Sequence, residues 1–185
     1  MQLVAVLSGL RDLAAAHPRL TVVVDHCGGA VGPTAFDDGD SGAQRRAEWE
    51  AAIDALAALP NVRVKVGGLQ MVTNGLQAGP EHRERPVGSV ELEALTFDNY
   101  ARVISAFGPA RCMFESNFPV DKAGGVSYGV LWNTFKRIAA RLQLSATEKR
   151  AIFAGTAADT YKLHDLRLGP VPDSGRPEST SEALQ

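Results

Sequence analysis

The sequence predicts an α/β fold built on a parallel sheet. Short runs rich in valine, such as "TVVVD" and "NVRVKV", alternate with longer segments whose apolar residues recur at helical spacing. The resulting order, α-β-α-β-α-β-α, is typical of parallel strands joined by crossover helices. The helix-to-strand links are short, whereas the strand-to-helix links, about 28–45, 70–90 and 119–126, are long. In α/β enzymes the active site is built from the loops at the carboxyl ends of the strands. The long links here therefore favour an α/β enzyme, and the alternative is that they lengthened by drift and have no function.

The composition indicates a soluble globular chain of about one domain. It has 185 residues, 45% hydrophobic and 22% charged, with a net charge of −2. This charge balance does not suggest nucleic-acid binding, and no apolar run is long enough for a membrane span. No signal peptide is recognised before the first helical segment, and the two cysteines match no disulfide framework or zinc spacing. A cytoplasmic location is therefore expected.

The individual elements follow from periodicity and from helix stop signals. Helices are predicted over 2–16, 47–59, about 91–107 and about 128–142, and strands within 19–29, 61–69 and 111–118. Ser145 with Glu148, and Thr156 with Asp159, match the capping box and predict two more short helices. Residues 1–165 are predicted to form the folded unit, and the polar stretch 166–185 is predicted to be a disordered tail.

Strand alternation places charged side chains on the inner face of the sheet. In "NVRVKVGG", Arg63 and Lys65 share the face opposite the valines, and in "RCMFESN", Glu115 shares a face with Met113 and Asn117. Covering helices need an apolar face, so Lys65 should point inward, and a buried Glu115 is costly unless it is paired. The sequence therefore predicts an ion pair between Lys65 and Glu115, which serves either a substrate site or only a polar layer.

Polar side chains also cluster where the strands end. His26 closes the first strand, on the face of the valines at 22 and 24, and an imidazole there can ligate a metal, move protons or bind a carbonyl, or be an ordinary rim residue. Asn117 follows the third strand, and an amide can hold a carbonyl or a water but cannot accept a proton. Asp121 is a replacement acid if the proline turn folds it back, and otherwise a solvated loop residue. His82, in the long 70–90 segment, is a candidate substrate contact.

Four stretches occur in an order that resembles a known enzyme family: "VVVDHCGG", "VRVKVGGL", "RCMFESNFPVDK" and "FAGTAADTYKL". Together they resemble the amidohydrolase-2 branch of the amidohydrolase superfamily, with its fuconolactonase-like and pyrone-dicarboxylate-lactonase-like hydrolases. The resemblance spans about residues 2–165. It implies the carboxyl-terminal part of a (β/α)8 TIM barrel, strands six to eight with their helices.

The residue type agrees with the family pattern at one position of the candidate site and differs from it at two others. His26 matches the family's histidine that follows an Asp at the end of strand six. Asn117 matches a strand-eight position that is usually Asp in the context "G-S-D-W-P". This chain reads "ESNFP" there, with Glu115 in place of the Gly. The family's first-strand His-x-His pair has no counterpart.

The resemblance implies a hydrolase acting on a lactone-like or related carbonyl substrate, catalytically complete only with an amino-terminal half. In that enzyme the catalytic residues would be His26, Asn117 and Asp121, and the substrate-binding residues Lys65, Glu115 and His82. No residue is assigned as a metal ligand and no cofactor is expected for this chain, although some full-length relatives use zinc.

Two other readings remain open at this point. The chain could be an inactive fragment or pseudoenzyme that serves as an interaction module, or part of a related decarboxylase. A three-stranded piece cannot close a barrel and leaves open sheet edges. Because of these open edges, further copies of the chain or a complementing amino-terminal half are expected as partners. A small-molecule substrate is also expected, as the resemblance to hydrolases implies. Nucleic acid and membranes are not expected.

Overall fold

Three parallel strands form the centre of the fold in the computed structural model, which describes residues 2–29, 40–71 and 84–163. The strands are β1 (Val22–Val24), β2 (Val62–Val66) and β3 (Cys112–Phe114), and they lie in the order β1-β2-β3. Val64 of β2 pairs with Val24 on one side and with Cys112 on the other. The predicted α/β class with a parallel sheet is therefore confirmed.

Helices precede and connect these strands. Helix α1 precedes β1, α2 and α3 lie between the strands, and the remaining helices follow β3. The bounds are α1 (Gln2–Ala16), α2 (Asp40–Ala57), α3 (Ser89–Phe107), α4 (Val120–Ala123), α5 (Tyr128–Arg141), α6 (Ala146–Arg150) and α7 (Thr156–Thr160). A left-handed helical turn covers His26–Gly29, a 3-10 turn covers Pro109–Arg111, and π-helical residues Ala151–Gly155 connect α6 to α7.

The two faces of the sheet differ as strand alternation predicts. The three valines of β2 are fully buried, whereas Arg63 and Lys65 are half-buried. On β3, Phe114 points into the same core as the valines and stacks on Phe135 of α5, with ring centroids 4.4 Å apart. The helices therefore cover the apolar face, and the opposite face carries Lys65.

Helix α2 begins at Asp40, earlier than the predicted start at 47. Its first turns are polar, and hydrophobic periodicity does not detect such residues as helical. Side-chain pairs four residues apart stabilise them: Gln44 donates to Glu48 and Arg46 donates to Glu50, both at 2.9 Å. The predicted link over about 28–45 is therefore wrong from Asp40 onward.

The two predicted capping boxes have different outcomes. At α6 the box is present: Ser145 Oγ accepts the Glu148 N–H, and the Glu148 carboxylate accepts the Ser145 N–H at 2.8 Å. Thr156 caps nothing, because helical backbone continues through the π-helical residues before it. Its hydroxyl instead donates to the Pro109 carbonyl at 3.4 Å.

Two predictions concern residues that the structure does not describe, and the expectation of no membrane span can be compared only with the described residues. His82 and the tail 166–185 lie outside them, so their assignments stay predictions. Among the described helices, none combines the length and the apolar character needed to cross a membrane.

The glycine pair after β2 is required by close packing where the strands end. A Cβ on Gly67 would overlap the carbonyl oxygen of Glu115, and a Cβ on Gly68 would lie 2.5 Å from Nδ1 of His26. Gly68 also has φ +71°, which side chains other than glycine rarely adopt. The pair thus allows the loops after β1 and β3 to meet across the end of β2.

Gly68→Ala is expected to lower the free energy of unfolding by about 2 kcal/mol or more, since it adds backbone strain to a steric overlap. Gly129→Ala is the matched control, because a Cβ there meets nothing within 4 Å. Urea unfolding of both variants measures the difference. Equal stability of the two variants would contradict the proposed packing.

Candidate active site

The residues after β1 form a left-handed turn that places His26. Four successive residues have positive φ: His26 at 53°, Cys27 at 56°, Gly28 at 70° and Gly29 at 71°. Residues other than glycine pay about 1–2 kcal/mol for this conformation, and such strain is concentrated at functional sites. Because β1 ends at Val24, His26 does not continue the alternation of the strand, and the prediction that it shares a face with the valines is wrong. The turn carries its ring over Gly68.

The carboxylate of Glu115 holds His26 at two points. Oε1 accepts the His26 backbone N–H at 3.2 Å and lies 2.6 Å from the ring nitrogen Nδ1. Both side chains are largely buried, with 28% of the imidazole and 15% of the Glu115 side chain exposed. This hydrogen bond raises the pKa of His26 above 6.5, although partial burial opposes the effect. Glu115 therefore fixes the ring orientation and places the proton on Nδ1.

Lys65 extends this arrangement into a group of four charged residues. The predicted contact with Glu115 is present, with Nζ 3.8 Å from Oε2, but the shorter contact of Nζ is with Oδ1 of Asp25, at 2.9 Å. The hydrogen bond to Asp25 raises the pKa of Lys65. Asp25, His26, Lys65 and Glu115 are called the strand-end cluster below. Asp25 was not among the predicted site residues, although its position directly after β1 was a signal.

Asn117 and Asp121 form a second pair beside the cluster. Asn117 has φ 46°, and its Nδ2 donates to Oδ1 of Asp121 at 2.7 Å. Asp121 is 1% exposed, and within the described part of the chain its Oδ2 has no hydrogen-bond partner. Burial raises the pKa of Asp121 to about 6. The proline turn does fold Asp121 back, so the alternative of a solvated loop residue is wrong.

A cleft of about 390 Å³ lies along β3 and borders both groups. Its lining combines polar strand-end residues with aromatic rings; the residues are Lys65, Met113, Phe114, Glu115, Ser116, Asn117, Phe118, Ala157 and Tyr161. Of the predicted site residues, the structure brings Lys65, Glu115 and Asn117 to the cleft, while His26 and Asp121 contact Glu115 and Asn117 without lining the cleft themselves. Phe118 and Tyr161 were missed, because their exposure depends on tertiary packing.

The described residues do not supply a metal site. No group of three or more His, Cys, Asp or Glu side chains within the described ranges is arranged to hold a metal ion, whereas zinc needs three or four such ligands. Nδ1 of His26 already contacts Glu115. Both cysteines are buried, and burial raises the pKa of Cys27 far above its usual value and that of Cys112 to about 12, so neither is a ready thiolate ligand.

Asp121→Asn is expected to stabilise the chain near neutral pH. Because the pKa of Asp121 is about 6 in the folded state and 3.8 in the reference state, folded protein binds this proton more tightly and loses stability as pH rises between these values. The amide keeps an acceptor for Asn117 and should recover about 1–3 kcal/mol, allowing for solvent screening.

Urea unfolding at about pH 4 and about pH 7.5 tests this, with a clear gain expected only at the higher pH. The exposed Asp98 gives the control variant Asp98→Asn. A gain of the same size at both pH values would contradict the assignment of a raised pKa to Asp121.

Comparison with known proteins supports the resemblance noted from the sequence. The sequence profile of a family described as Amidohydrolase matches residues 5–163. An L-fucono-1,5-lactonase of Burkholderia multivorans is 33% identical over 161 residues, which are 85% of this chain and 48% of that protein. The chain spans about half the length of such relatives.

Solved structures agree with the sequence comparison. An amidohydrolase of Burkholderia multivorans with bound HEPES is 31% identical, with a TM-score of 0.67 over 84% of this chain and 49% of that chain. A second crystal form of it, with bound zinc, gives 0.64 over the same shares and at the same identity. A proposed 2-pyrone-4,6-dicarboxylic acid hydrolase of Pseudomonas putida, 22% identical, shares the fold with a TM-score of 0.55 over 87% of this chain and 50% of its own. On the extent of these matches, the chain belongs to the amidohydrolase family.

Proposed function

We propose that the chain supplies strands six to eight of a (β/α)8 barrel hydrolase that opens a lactone or a related carbonyl substrate. The relatives are about twice as long, and one is named as a lactonase. Within the described residues, β1 and β3 each pair with β2 alone, so each has a free edge. Strands from an amino-terminal half, or from further copies of the chain, would pair with these edges and close the barrel.

The observation that carries the proposal is the contact between Glu115 and His26. A carboxylate that accepts a hydrogen bond from Nδ1 holds the imidazole in one tautomer and leaves the Nε2 lone pair for proton transfer. Within the described residues, no hydrogen bond occupies Nε2. The raised pKa of His26 makes the neutral ring a stronger base. Glu115 borders the cleft, so the pair stands at the place where a substrate would bind.

In the proposed reaction, Nε2 of His26 takes a proton from water while the water oxygen forms a bond to the substrate carbonyl carbon. Negative charge then develops on the carbonyl oxygen. Asn117 has a second amide N–H beyond the one it donates to Asp121, and with the Lys65 ammonium it stabilises this charge. The ring C–O bond breaks, the carbonyl re-forms, and His26 returns the proton to the leaving oxygen, giving the hydroxy acid.

Asp121 has a supporting role in this scheme rather than a direct one. It is buried behind Asn117, where its carboxylate orients the amide. Zinc is bound in a crystal of the Burkholderia relative. The described residues of this chain do not fit a zinc site on their own, and no step of the proposed reaction runs through a metal.

His26→Gln is expected to lower kcat/KM for lactone hydrolysis by about 10²–10⁴-fold, the usual contribution of a general base. The assay follows acid release from 1,5-lactones with a pH indicator. His17→Gln is the control, because His17 is exposed in the turn after α1, at the opposite end of the sheet. Full activity in His26→Gln would remove His26 from the mechanism, and the absence of lactone hydrolysis by the unaltered protein assembled with the strands that close the barrel would refute the proposed function.

Glu115→Gln is expected to change the pH profile as well as the rate. Activity needs neutral His26, so kcat/KM should rise with pH through the His26 pKa. Since Glu115 is the main group that raises this pKa, the variant should show the rising limb at lower pH. A limb that stays in place would show that another group controls it.

A further inference from the structure

Two large aromatic side chains that contact each other are strongly exposed, and one of them lines the cleft. Phe118 is 44% exposed and Tyr128 is 51% exposed. Their rings meet edge to face, with centroids 5.6 Å apart and an interplanar angle of 89°. Exposed aromatic residues beside a polar cleft are typical of ligand sites rather than of ordinary surface.

These rings are the outer end of a series that reaches the core. Tyr128 contacts Trp132 with centroids 5.9 Å apart, and Trp132 contacts Phe135 at 5.5 Å. Phe135 is fully buried and stacks on Phe114 of β3. Phe118, Tyr128, Trp132 and Phe135 are called the aromatic ladder. Because each ring is supported by the next, Phe118 is held in place without a ligand.

The position of Phe118 distinguishes it from other exposed apolar residues. Val6, Leu13 and Val90 are equally or more exposed, but none lines the cleft. Phe118 lines it directly after Asn117, so an apolar ring and the groups proposed to act on a carbonyl border the same space. A volume of about 390 Å³ lies within the range for small-molecule sites.

We propose that Phe118 is a substrate-stacking residue, whose ring receives the C–H face of a saturated, hydroxylated lactone ring. The electron-rich face of an aromatic ring attracts polarised C–H groups. Ser116, Lys65 and Tyr161 give the same cleft hydrogen-bonding groups suited to the hydroxyls at the ring edge. Tyr128 is a positioning residue for Phe118. This inference rests on the proposed function for the reaction, and it adds a residue that contacts the substrate ring.

The test uses binding, which does not depend on turnover. Glucono-1,5-lactam keeps the hydroxylated ring and the carbonyl but resists hydrolysis, and 2-piperidone lacks the hydroxyls. In NMR titrations of the unaltered chain, the ring C–H protons of the lactam should shift upfield, and 2-piperidone should bind more weakly. Phe118→Leu keeps the apolar bulk and removes the aromatic face. It should abolish the shift and raise Kd by about tenfold, which is about 1.4 kcal/mol.

Two variants complete the design. Phe118→Trp keeps an aromatic face and should bind the lactam within about twofold of the unaltered chain. Val120→Ala is the matched control, because Val120 is 50% exposed in the same segment but does not line the cleft. In lactone hydrolysis, Tyr128→Leu should raise KM and leave kcat unchanged, as expected for a residue that acts only through the stacking surface.

The outcomes separate this inference from the proposed function. Lactam binding that is equal in Phe118→Leu and in the unaltered chain would overturn the stacking role, even where lactones are hydrolysed. Phe118-dependent binding without any lactone hydrolysis by the assembled barrel would support the stacking surface and refute the hydrolase. Failure of the unaltered chain to bind the lactam would overturn the stacking role directly.

Discussion

The carboxylate of Glu115 joins the ends of all three strands, and the geometry of the site depends on it. It follows β3, accepts two hydrogen bonds from His26 after β1, and lies near Lys65 of β2. Lys65 in turn contacts Asp25, which returns the series to β1. The glycine pair at 67–68 makes this meeting sterically allowed. Acidic and basic side chains alternate through the strand-end cluster, so the partly buried Lys65, Glu115 and His26 each have a partner.

The left-handed turn after β1 is stable only through contacts of this kind. Two non-glycine residues in the left-handed region cost about 1–2 kcal/mol each. A hydrogen bond to a charged group contributes about 1.5–3 kcal/mol, which is of the same order. Trp49 adds a further contact by donating from Nε1 to the Cys27 carbonyl at 3.1 Å. The position of the imidazole is thus an outcome of long-range packing rather than of local preference.

The difference between local preferences and long-range contacts explains which parts of the site could be predicted. The period of two along β2 is a local property, and it correctly predicted that Lys65 lies on the face opposite the valines and contacts Glu115. The same rule failed at His26, because the strand ends at Val24 and the turn depends on a carboxylate 89 residues away. The burial of Asp121 could not be predicted either, since it depends on how the segment after β3 folds back. Polar pairing at the start of α2 likewise escaped a search based on apolar periodicity.

The residue types at positions 115 and 117 depend on each other, and this limits how the site can change. In the pattern that this chain resembles, position 115 is Gly and position 117 is usually Asp, whereas here the carboxylate is at 115 and the amide at 117. An acid at 117 alone would replace the donor to Asp121 with a repelling carboxylate. A Gly at 115 alone would leave the amide and ring of His26 without their acceptor. Each single substitution back is therefore costly in this structure, so the residues at 115 and 117 are energetically coupled through the geometry of the site.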